Sequence, residues 1–204
     1  MAHIREKSPA GSLIELVTIV VVAVALALGI QAFIVKPFRI PSESMEPTLD
    51  VNQRVLVDRV SFRVSEPHRG DIVVFKPPSG ADENACGVRH SPDQACPRPT
   101  PSRSKTNFIK RVVAEPGDRV KVIKGRVYID GRLQKKEQSF INGDSSCGIC
   151  NLPREITIPP DHFFMMGDNR GESADSREWG PVPKRWIIGN AFLTYWPPRR
   201  IGPL

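Results

Sequence analysis

A run of twenty residues near the N-terminus, residues 16–35, contains only two polar side chains, Thr18 and Gln31. A helix of that length spans roughly 30 Å, which is the thickness of the hydrocarbon core of a bilayer. The run is apolar on every face, whereas a helix packed on the surface of a globular core is apolar on one face. The sequence therefore predicts a membrane-spanning helix over residues 12–36, followed by a separate domain over residues 37–204.

The residues on either side of this run indicate which way the chain crosses the membrane. Arg5 and Lys7 outnumber Glu6 before it, so residues 1–11 are expected in the cytoplasm and residues 37–204 on the far side. A cleavable signal peptide is the alternative, but its apolar region is about 7–15 residues long and ends in a small-x-small site. Here the run continues through residues 33–35 to Lys36, which favours an uncleaved anchor.

The overall charge limits the choice of partners. The net charge is +7, but no cluster of lysine and arginine is interleaved with aromatic residues. Binding to nucleic acid is therefore not expected, and a basic surface near anionic membrane lipid explains the charge.

After residue 40 the pattern is that of short strands. Apolar and β-branched residues alternate in short runs, Gly125 marks a hairpin turn, and no useful helical periodicity is present. These features predict an all-β domain built on a closed or partly closed sheet. Two polar stretches, residues 77–107 and 134–153, are predicted to be insertion loops. The predicted strands are residues 54–60, 71–75, 109–114, 119–123, 126–130, 155–158, 163–166, 186–188 and 191–196.

Four cysteines, Cys86, Cys96, Cys147 and Cys150, lie in the two predicted insertions. Four thiols allow three pairings. Local pairing within each insertion is the simplest, and pairing between the insertions stays open. A zinc site is not expected, because nine residues separate the first two cysteines and zinc motifs usually have two to four. No metal is predicted.

Ser44 and Lys110 are the candidate catalytic residues. Ser44 lies in a turn bracketed by Pro41 and Pro47, and Lys110 lies in a strand between apolar residues. The four histidines either precede the apolar run or lie in turns and loops, so a Ser-His-Asp triad has little support. A lysine can act as the base only when neutral, and lowering its pKa by roughly 2–3 units costs about 3–4 kcal/mol.

A third polar segment, residues 167–177, directly follows the predicted strand at 163–166. Within it, Ser173 is expected to hydrogen-bond the lysine amine. Asp175 and Arg177 are expected to form a structural ion pair.

Four segments resemble, in order, the motif boxes of bacterial type I signal peptidases. The segments are Pro41-Ser-Glu-Ser-Met-Glu-Pro-Thr-Leu49, Arg69-Gly-Asp-Ile-Val-Val-Phe75, Lys110-Arg111 with Glu115-Pro-Gly-Asp118, and Gly167-Asp-Asn-Arg170 with Ser173-Ala-Asp-Ser-Arg177. The resemblance implies a mainly β, signal-peptidase-like catalytic domain with one N-terminal transmembrane helix. One departure is Glu172, where the family commonly has asparagine.

The resemblance also implies roles for these residues. Ser44 is the nucleophile, Lys110 the general base, and Ser173 orients the lysine. The Ser42 hydroxyl and the Ser44 amide form the oxyanion hole. Pockets for small side chains before the scissile bond are expected to be lined by Ile40, Pro41, Met45, Phe108 and Ile109.

The same resemblance defines the expected partners. The substrates are exported preproteins carrying signal peptides, no cofactor is needed, and the export machinery is a further candidate partner. The enzyme would sit in the inner or plasma membrane as a single-pass protein, with its catalytic domain on the periplasmic or extracytoplasmic side.

Three other functions compete with this interpretation. A self-cleaving repressor-type Ser/Lys protease is soluble, which the apolar run disfavours. A membrane-tethered, inactive binding module of the same fold is disfavoured because Ser44, Lys110 and Ser173 are all present. A disulfide-stapled structural protein would have no need of a neutral lysine.

Overall fold

The computed structural model describes residues 9–134 and 147–204. The chain divides into two compact units, Met1–Lys36 and Pro37–Leu204. Most of the predicted cytoplasmic segment 1–11 and most of the predicted insertion 134–153 lie outside the described residues.

Most of the described part of the first unit is one helix, α1 (Pro9–Phe33), which is 25 residues long. Its large hydrophobic side chains between Leu13 and Leu28 are each at least 51% exposed. Within the part of the chain that the structure describes, no helix meets the length and hydropathy of a membrane span.

The rest of the described chain is mainly β, as predicted, with twelve strands and two one-turn helices, α2 (Ser61–Val64) and α3 (Ser176–Trp179). Neither short helix was predicted, because one turn is too short for a helical period to show. Numbered along the chain, the strands are β1 (Val35–Arg39), β2 (Arg54–Asp58), β3 (Ile72–Phe75), β4 (Phe108–Ala114), β5 (Arg119–Ile123), β6 (Arg126–Ile129), β7 (Arg132–Leu133), β8 (Leu152–Thr157), β9 (His162–Met166), β10 (Val182–Pro183), β11 (Ile187–Trp196) and β12 (Gly202–Pro203).

These strands form two sheets where the sequence predicted one. Eight strands follow the order β1-β2-β11-β3-β4-β9-β10, with β12 paired to β11, and four follow the order β7-β6-β5-β8. The β5–β6 hairpin turns at Lys124 and Gly125, which both have positive φ. Alternating hydrophobicity identifies a strand but not the sheet that it joins, so the second sheet was not predicted.

The central strand β3 is buried on both faces and separates two parts of the core. Ile72 and Val74 belong to one apolar cluster, together with Met45 and Ile109, whereas Val73 belongs to the other. Successive side chains on a strand point to opposite faces, so one short strand can support both clusters. A third cluster joins β4 and β9 to the four-stranded sheet.

Both disulfides are local, Cys86–Cys96 and Cys147–Cys150. The first closes part of the insertion 77–107, which is also held by a bridge between Pro78 and Arg103. Ligand-type atoms of Cys86, His90 and Cys96 lie within 4.8 Å of one another. Because both sulfurs are bonded to each other, neither is a thiolate that could bind a metal.

Candidate active site

Ser44 lies in a 3-10 turn, Glu43–Met45, that comes shortly after β1. The Glu46 amide donates to the Glu43 carbonyl at 2.9 Å, and the Leu49 amide donates to the Met45 carbonyl at the same distance. Met45 and Leu49 are fully buried in the apolar cluster beneath the turn. The turn is therefore fixed on the core, and Ser44 itself is buried.

Lys110 lies on β4, opposite Val73 of the central strand β3. Its Nζ atom is 2.5 Å from Ser44 Oγ, and its side chain is buried. The amine also lies 5.8 Å from the centre of the Phe108 ring. Two residues 66 positions apart in the sequence are thus in direct hydrogen-bond contact.

The surroundings of Lys110 favour its neutral form. Burial lowers the pKa of Lys110 to about 8, and Arg177 contributes in the same direction, while Asp175 and Asp168 act against it. Burial lowers the pKa because an ammonium loses its hydration there. An amine with this pKa can accept the proton of a neighbouring hydroxyl near neutral pH.

Ser42 directly precedes the same turn and is exposed. Its Oγ is 3.4 Å from Ser44 Oγ. A hydroxyl at this position could donate to an oxyanion that forms on a carbonyl attacked by Ser44.

Residues 167–177 surround a buried carboxylate behind the lysine. Arg177 donates to Asp175 through Nε at 2.7 Å and through Nη2 at 2.8 Å, and both side chains are fully buried. Gly167 donates its amide to the same carboxylate at 3.0 Å. Burial opposes the ionisation of Asp175, but Arg177 and these hydrogen bonds hold the pKa of Asp175 below its usual value.

Ser173 makes a different contact from the one expected. Its Oγ donates to Asp175 at 2.8 Å, and this is the hydrogen bond that the Ser173 hydroxyl makes among the described residues. The sequence predicted a direct hydrogen bond to Lys110. Ser173 is thus oriented by Asp175, a relationship that sequence spacing alone does not reveal.

Two hydrogen bonds from Asn169 hold the turn of Ser44 against the loop after β9. The Asn169 amide donates to the Ser44 carbonyl at 3.2 Å, and Asn169 Nδ2 donates to the Glu43 carbonyl at 3.3 Å. At Gly167 the loop and the turn of Ser44 approach so closely that an added Cβ would collide with the Ser44 carbonyl and with Ser173 Oγ.

Further buried contacts around this loop were not predicted. Arg111 donates to Asp168 from two nitrogens, at 2.8 and 2.7 Å. Arg177 Nη1 lies 3.4 Å from Cys150 Sγ, in the second disulfide. The family resemblance includes Arg111 only as part of a motif, and nothing in the sequence pairs Arg177 with a cysteine 27 positions away.

Two cavities meet at Ser44 and Lys110. The first, about 490 Å³, is mostly apolar and is lined by four of the five predicted pocket residues, namely Ile40, Pro41, Phe108 and Ile109. The second, about 460 Å³, shares Pro41, Ser42, Ser44 and Lys110 with the first and adds Glu43, Val51, Glu172 and Ala174.

Met45, the fifth predicted pocket residue, does not line the first cavity, because it is fully buried in the core. Phe38 and Val74 do line this cavity and were not predicted. Val74 reaches it because β3 pairs with β4 in a register that places Val74 opposite Ile109. That register is a property of the sheet and cannot be read from either strand alone.

Comparisons with known proteins all identify signal peptidases as similar to this chain. The family model described as "Signal peptidase, peptidase S26" matches residues 13–196. A Synechocystis protein named "Probable signal peptidase I-2" is 35% identical over 200 residues, which cover 98% of this chain and 81% of the relative. "Signal peptidase I" of Leptolyngbya laminosa is 40% identical over 194 residues, covering 94% and 84%.

A plant relative is also similar. "Thylakoidal processing peptidase 1, chloroplastic" of Arabidopsis thaliana is 34% identical over 181 residues, which cover 88% of this chain and 47% of the relative. The family model covers nearly the whole chain, and the two cyanobacterial relatives match over most of their own length. This chain therefore belongs to the signal peptidase family, peptidase S26.

Proposed function

We propose that this protein is a serine endopeptidase that removes signal peptides from exported preproteins, with Ser44 as nucleophile and Lys110 as general base. The observation that carries the proposal is the contact of 2.5 Å between the buried Lys110 amine and Ser44 Oγ. Membership of the signal peptidase family supplies the substrate class. The inactive binding module gains no support, since both groups are in contact in a cleft open to substrate.

The reaction begins with neutral Lys110. Its amine accepts the proton of the Ser44 hydroxyl as Oγ attacks the carbonyl carbon of the scissile bond. The negative charge passes to the carbonyl oxygen, where the Ser42 hydroxyl and the Ser44 amide donate hydrogen bonds. Lys110 then gives its proton to the departing amine, and the signal peptide stays attached to Ser44 as an ester.

The second half of the reaction uses the same groups. Lys110 removes a proton from a water molecule, and the resulting hydroxide attacks the ester carbonyl. When the ester breaks, Lys110 returns the proton to Ser44 Oγ and the signal peptide leaves as a carboxylic acid. Ser173 and the Asp175–Arg177 pair act through the position and charge environment of the lysine rather than through contact with substrate.

The first cavity supports selection of small residues before the scissile bond. Ile40, Phe108 and Ile109 give it apolar walls, and Lys110 and Ser44 stand at one end. A substrate segment that binds in an extended form gains affinity from backbone hydrogen bonds and selectivity from the side-chain pockets.

Attachment to a membrane is a further part of the proposal. The apolar side chains of α1 are exposed along its described length, and the sequence places a small positive excess before it. We propose that residues 12–36 anchor the protein, with residues 1–11 in the cytoplasm and residues 37–204 on the extracytoplasmic side, where preproteins emerge.

Incubation of the detergent-purified protein with a preprotein, followed by mass spectrometry of the products, tests the assignment. We expect cleavage after a small residue by the wild-type protein and loss of detectable cleavage in Ser44→Ala. Ser42→Ala should lose only about 10²–10³ in rate, because one oxyanion donor is removed. Ser65→Ala, an exposed serine, is the matched control. Cleavage by Ser44→Ala at the wild-type rate would contradict the proposal.

A further inference from the structure

The second cavity carries two carboxylates that the proposed chemistry does not use. Glu43 and Glu172 line it together with Ser44 and Lys110. Both side chains are exposed, and neither carboxylate has a hydrogen-bond or ion-pair partner among the described residues. They are therefore free to interact with a bound molecule.

The cations near this cavity do not cancel those charges. Among the described residues, Lys110 is the basic residue of the lining, so it offsets at most one of the two negative charges even when its amine is protonated. Arg177 is engaged by Asp175 and fully buried. The cavity is therefore negatively charged, in a protein whose overall charge is +7.

The lining of the first cavity differs from that of the second in its charge. Among the described residues, the lining of the first cavity contains no carboxylate but includes Arg39, whose guanidinium donates to the neutral side chain of Asn52 at 2.6 and 3.0 Å. The cleft thus has a basic, apolar half and an acidic half, and Ser44 lies where the two halves meet.

We propose that Glu43 and Glu172 line the subsite for the first residues after the scissile bond, and that they favour uncharged or basic residues there over acidic ones. This inference rests on the proposed function. If the small residues before the bond occupy the apolar cavity, a substrate that continues past Ser44 enters the second cavity. The mature protein's first residues then lie between the two carboxylates.

The leaving group strengthens the same preference. Cleavage releases the mature chain with a new amino group, which takes a proton from Lys110 and then a second one from water to become an ammonium. That positive charge forms in the cavity lined by Glu43 and Glu172. An acidic side chain beside it would instead place a third carboxylate in the same space.

The size of the effect follows from the exposure of both carboxylates. Water weakens the interaction of each carboxylate with a substrate charge. We therefore expect each carboxylate to raise kcat/KM for a lysine peptide about threefold relative to a glutamate peptide at low salt. The preference should fall as the ionic strength rises to about 1 M, where the screening length is about 3 Å.

The test uses three matched preprotein peptides that carry glutamate, glutamine or lysine at the first two positions after the scissile bond. For the wild-type protein at low salt, kcat/KM should rise in that order. In the double variant Glu43→Gln with Glu172→Gln, the ratio between the lysine and glutamate peptides should fall about tenfold. Glu83→Gln, an exposed glutamate outside the cleft, is the matched control.

The outcomes separate this inference from the proposed function. Equal cleavage of the three peptides by the wild-type protein would overturn the charged subsite, and so would an unchanged ratio of kcat/KM between the lysine and glutamate peptides in the double variant. Neither result would contradict the proposed peptidase activity. Failure of the wild-type protein to cut any of the peptides or a full-length preprotein would contradict the proposed function itself.

Discussion

At the scale of single residues, Lys110 is the residue whose ionisation the fold changes most clearly, because its amine is buried. The fold removes its side chain from water and places the amine against Ser44 Oγ, so that the pKa of Lys110 is lowered to about 8. Lys110 could be predicted because its segment and three others resemble, in order, the motif boxes of type I signal peptidases, since a lysine in a strand is by itself more often solvated. The contacts that surround it could not be predicted, since Asp168 and Asp175 come from a loop more than 50 positions away.

Lys110 should impose a rising pH dependence on activity. Below the pKa the amine is an ammonium and cannot accept the serine proton, so kcat/KM should rise about tenfold per pH unit and level off above about 8. A profile of preprotein cleavage between pH 6 and pH 10 measures this. Lys110→Arg should be inactive throughout because a guanidinium stays charged, whereas the exposed Lys105→Arg should retain the wild-type profile.

The same burial should appear in stability. The folded state releases the proton of Lys110 near pH 8 and the unfolded state near pH 10.5, so the unfolded state binds more protons between these values. The free energy of unfolding should therefore rise through this range, by about 3 kcal/mol, relative to a Lys110→Met variant. Urea unfolding of both proteins at pH 7.5 and pH 10 measures the difference. If the free energy of unfolding changes equally in both proteins between the two pH values, the Lys110 amine is solvated in the folded state.

At the scale of structural elements, the loop after β9 and the short helix α3 set the charge around Lys110. Asp168 and Asp175 come from the loop and Arg177 from α3, and Gly167 brings the loop backbone against the turn of Ser44. The sequence identified the loop by its density of polar groups and correctly placed most of the strands. It could not identify β11 as one continuous strand from Ile187 to Trp196, because Gly189 and Asn190 interrupt the apolar pattern.

Two glycines of this loop provide a matched pair of variants. An added Cβ at Gly167 meets the Ser44 carbonyl and Ser173 Oγ, whereas a Cβ at Gly171 has nothing within 4 Å. Gly167→Ala should therefore lower stability by about 1–3 kcal/mol and reduce cleavage by displacing Ser44 from Lys110. Gly171→Ala should leave both unchanged. Thermal unfolding and preprotein cleavage measure the two effects, and equal behaviour of the variants would show that the close approach is relaxed in solution.

At the scale of the whole molecule, the chain combines an exposed apolar helix with a β unit that has its own core. Composition and pattern sufficed to predict both parts. The division of the strands into two sheets was not predicted, since it depends on which strands meet after folding. The local pairing of the cysteines was the simplest of three alternatives, and only the three-dimensional structure distinguishes among them.

The proposed anchor predicts how the whole protein partitions. After reconstitution with phospholipid vesicles, the wild-type protein should float with the lipid in a density gradient, and 1 M salt should not release it. A variant with Val20, Val21 and Val24 all replaced by Asp should stay with the soluble fraction, because each charge in the hydrocarbon core is costly. The control is Val64→Asp, at a highly exposed position outside α1. Flotation of the triple variant in high salt would contradict the anchor.

Because Arg177 contacts the second disulfide, reduction of that disulfide should change the charge near Lys110. A dithiol reductant would open Cys147–Cys150 and leave a thiol on Cys150, 3.4 Å from the Arg177 guanidinium in this fold. A neighbouring guanidinium favours the thiolate, whose negative charge would offset part of the influence of Arg177 on Lys110. Since Arg177 lowers the pKa of Lys110, while Asp175 and Asp168 raise it, reduction should move the pH–activity midpoint upward. pH profiles of cleavage with and without dithiothreitol measure this shift. The shift should persist in the variant with Cys86→Ser and Cys96→Ser, which lacks the first disulfide. An unchanged midpoint would show that the charge on Cys150 does not affect the pKa of Lys110.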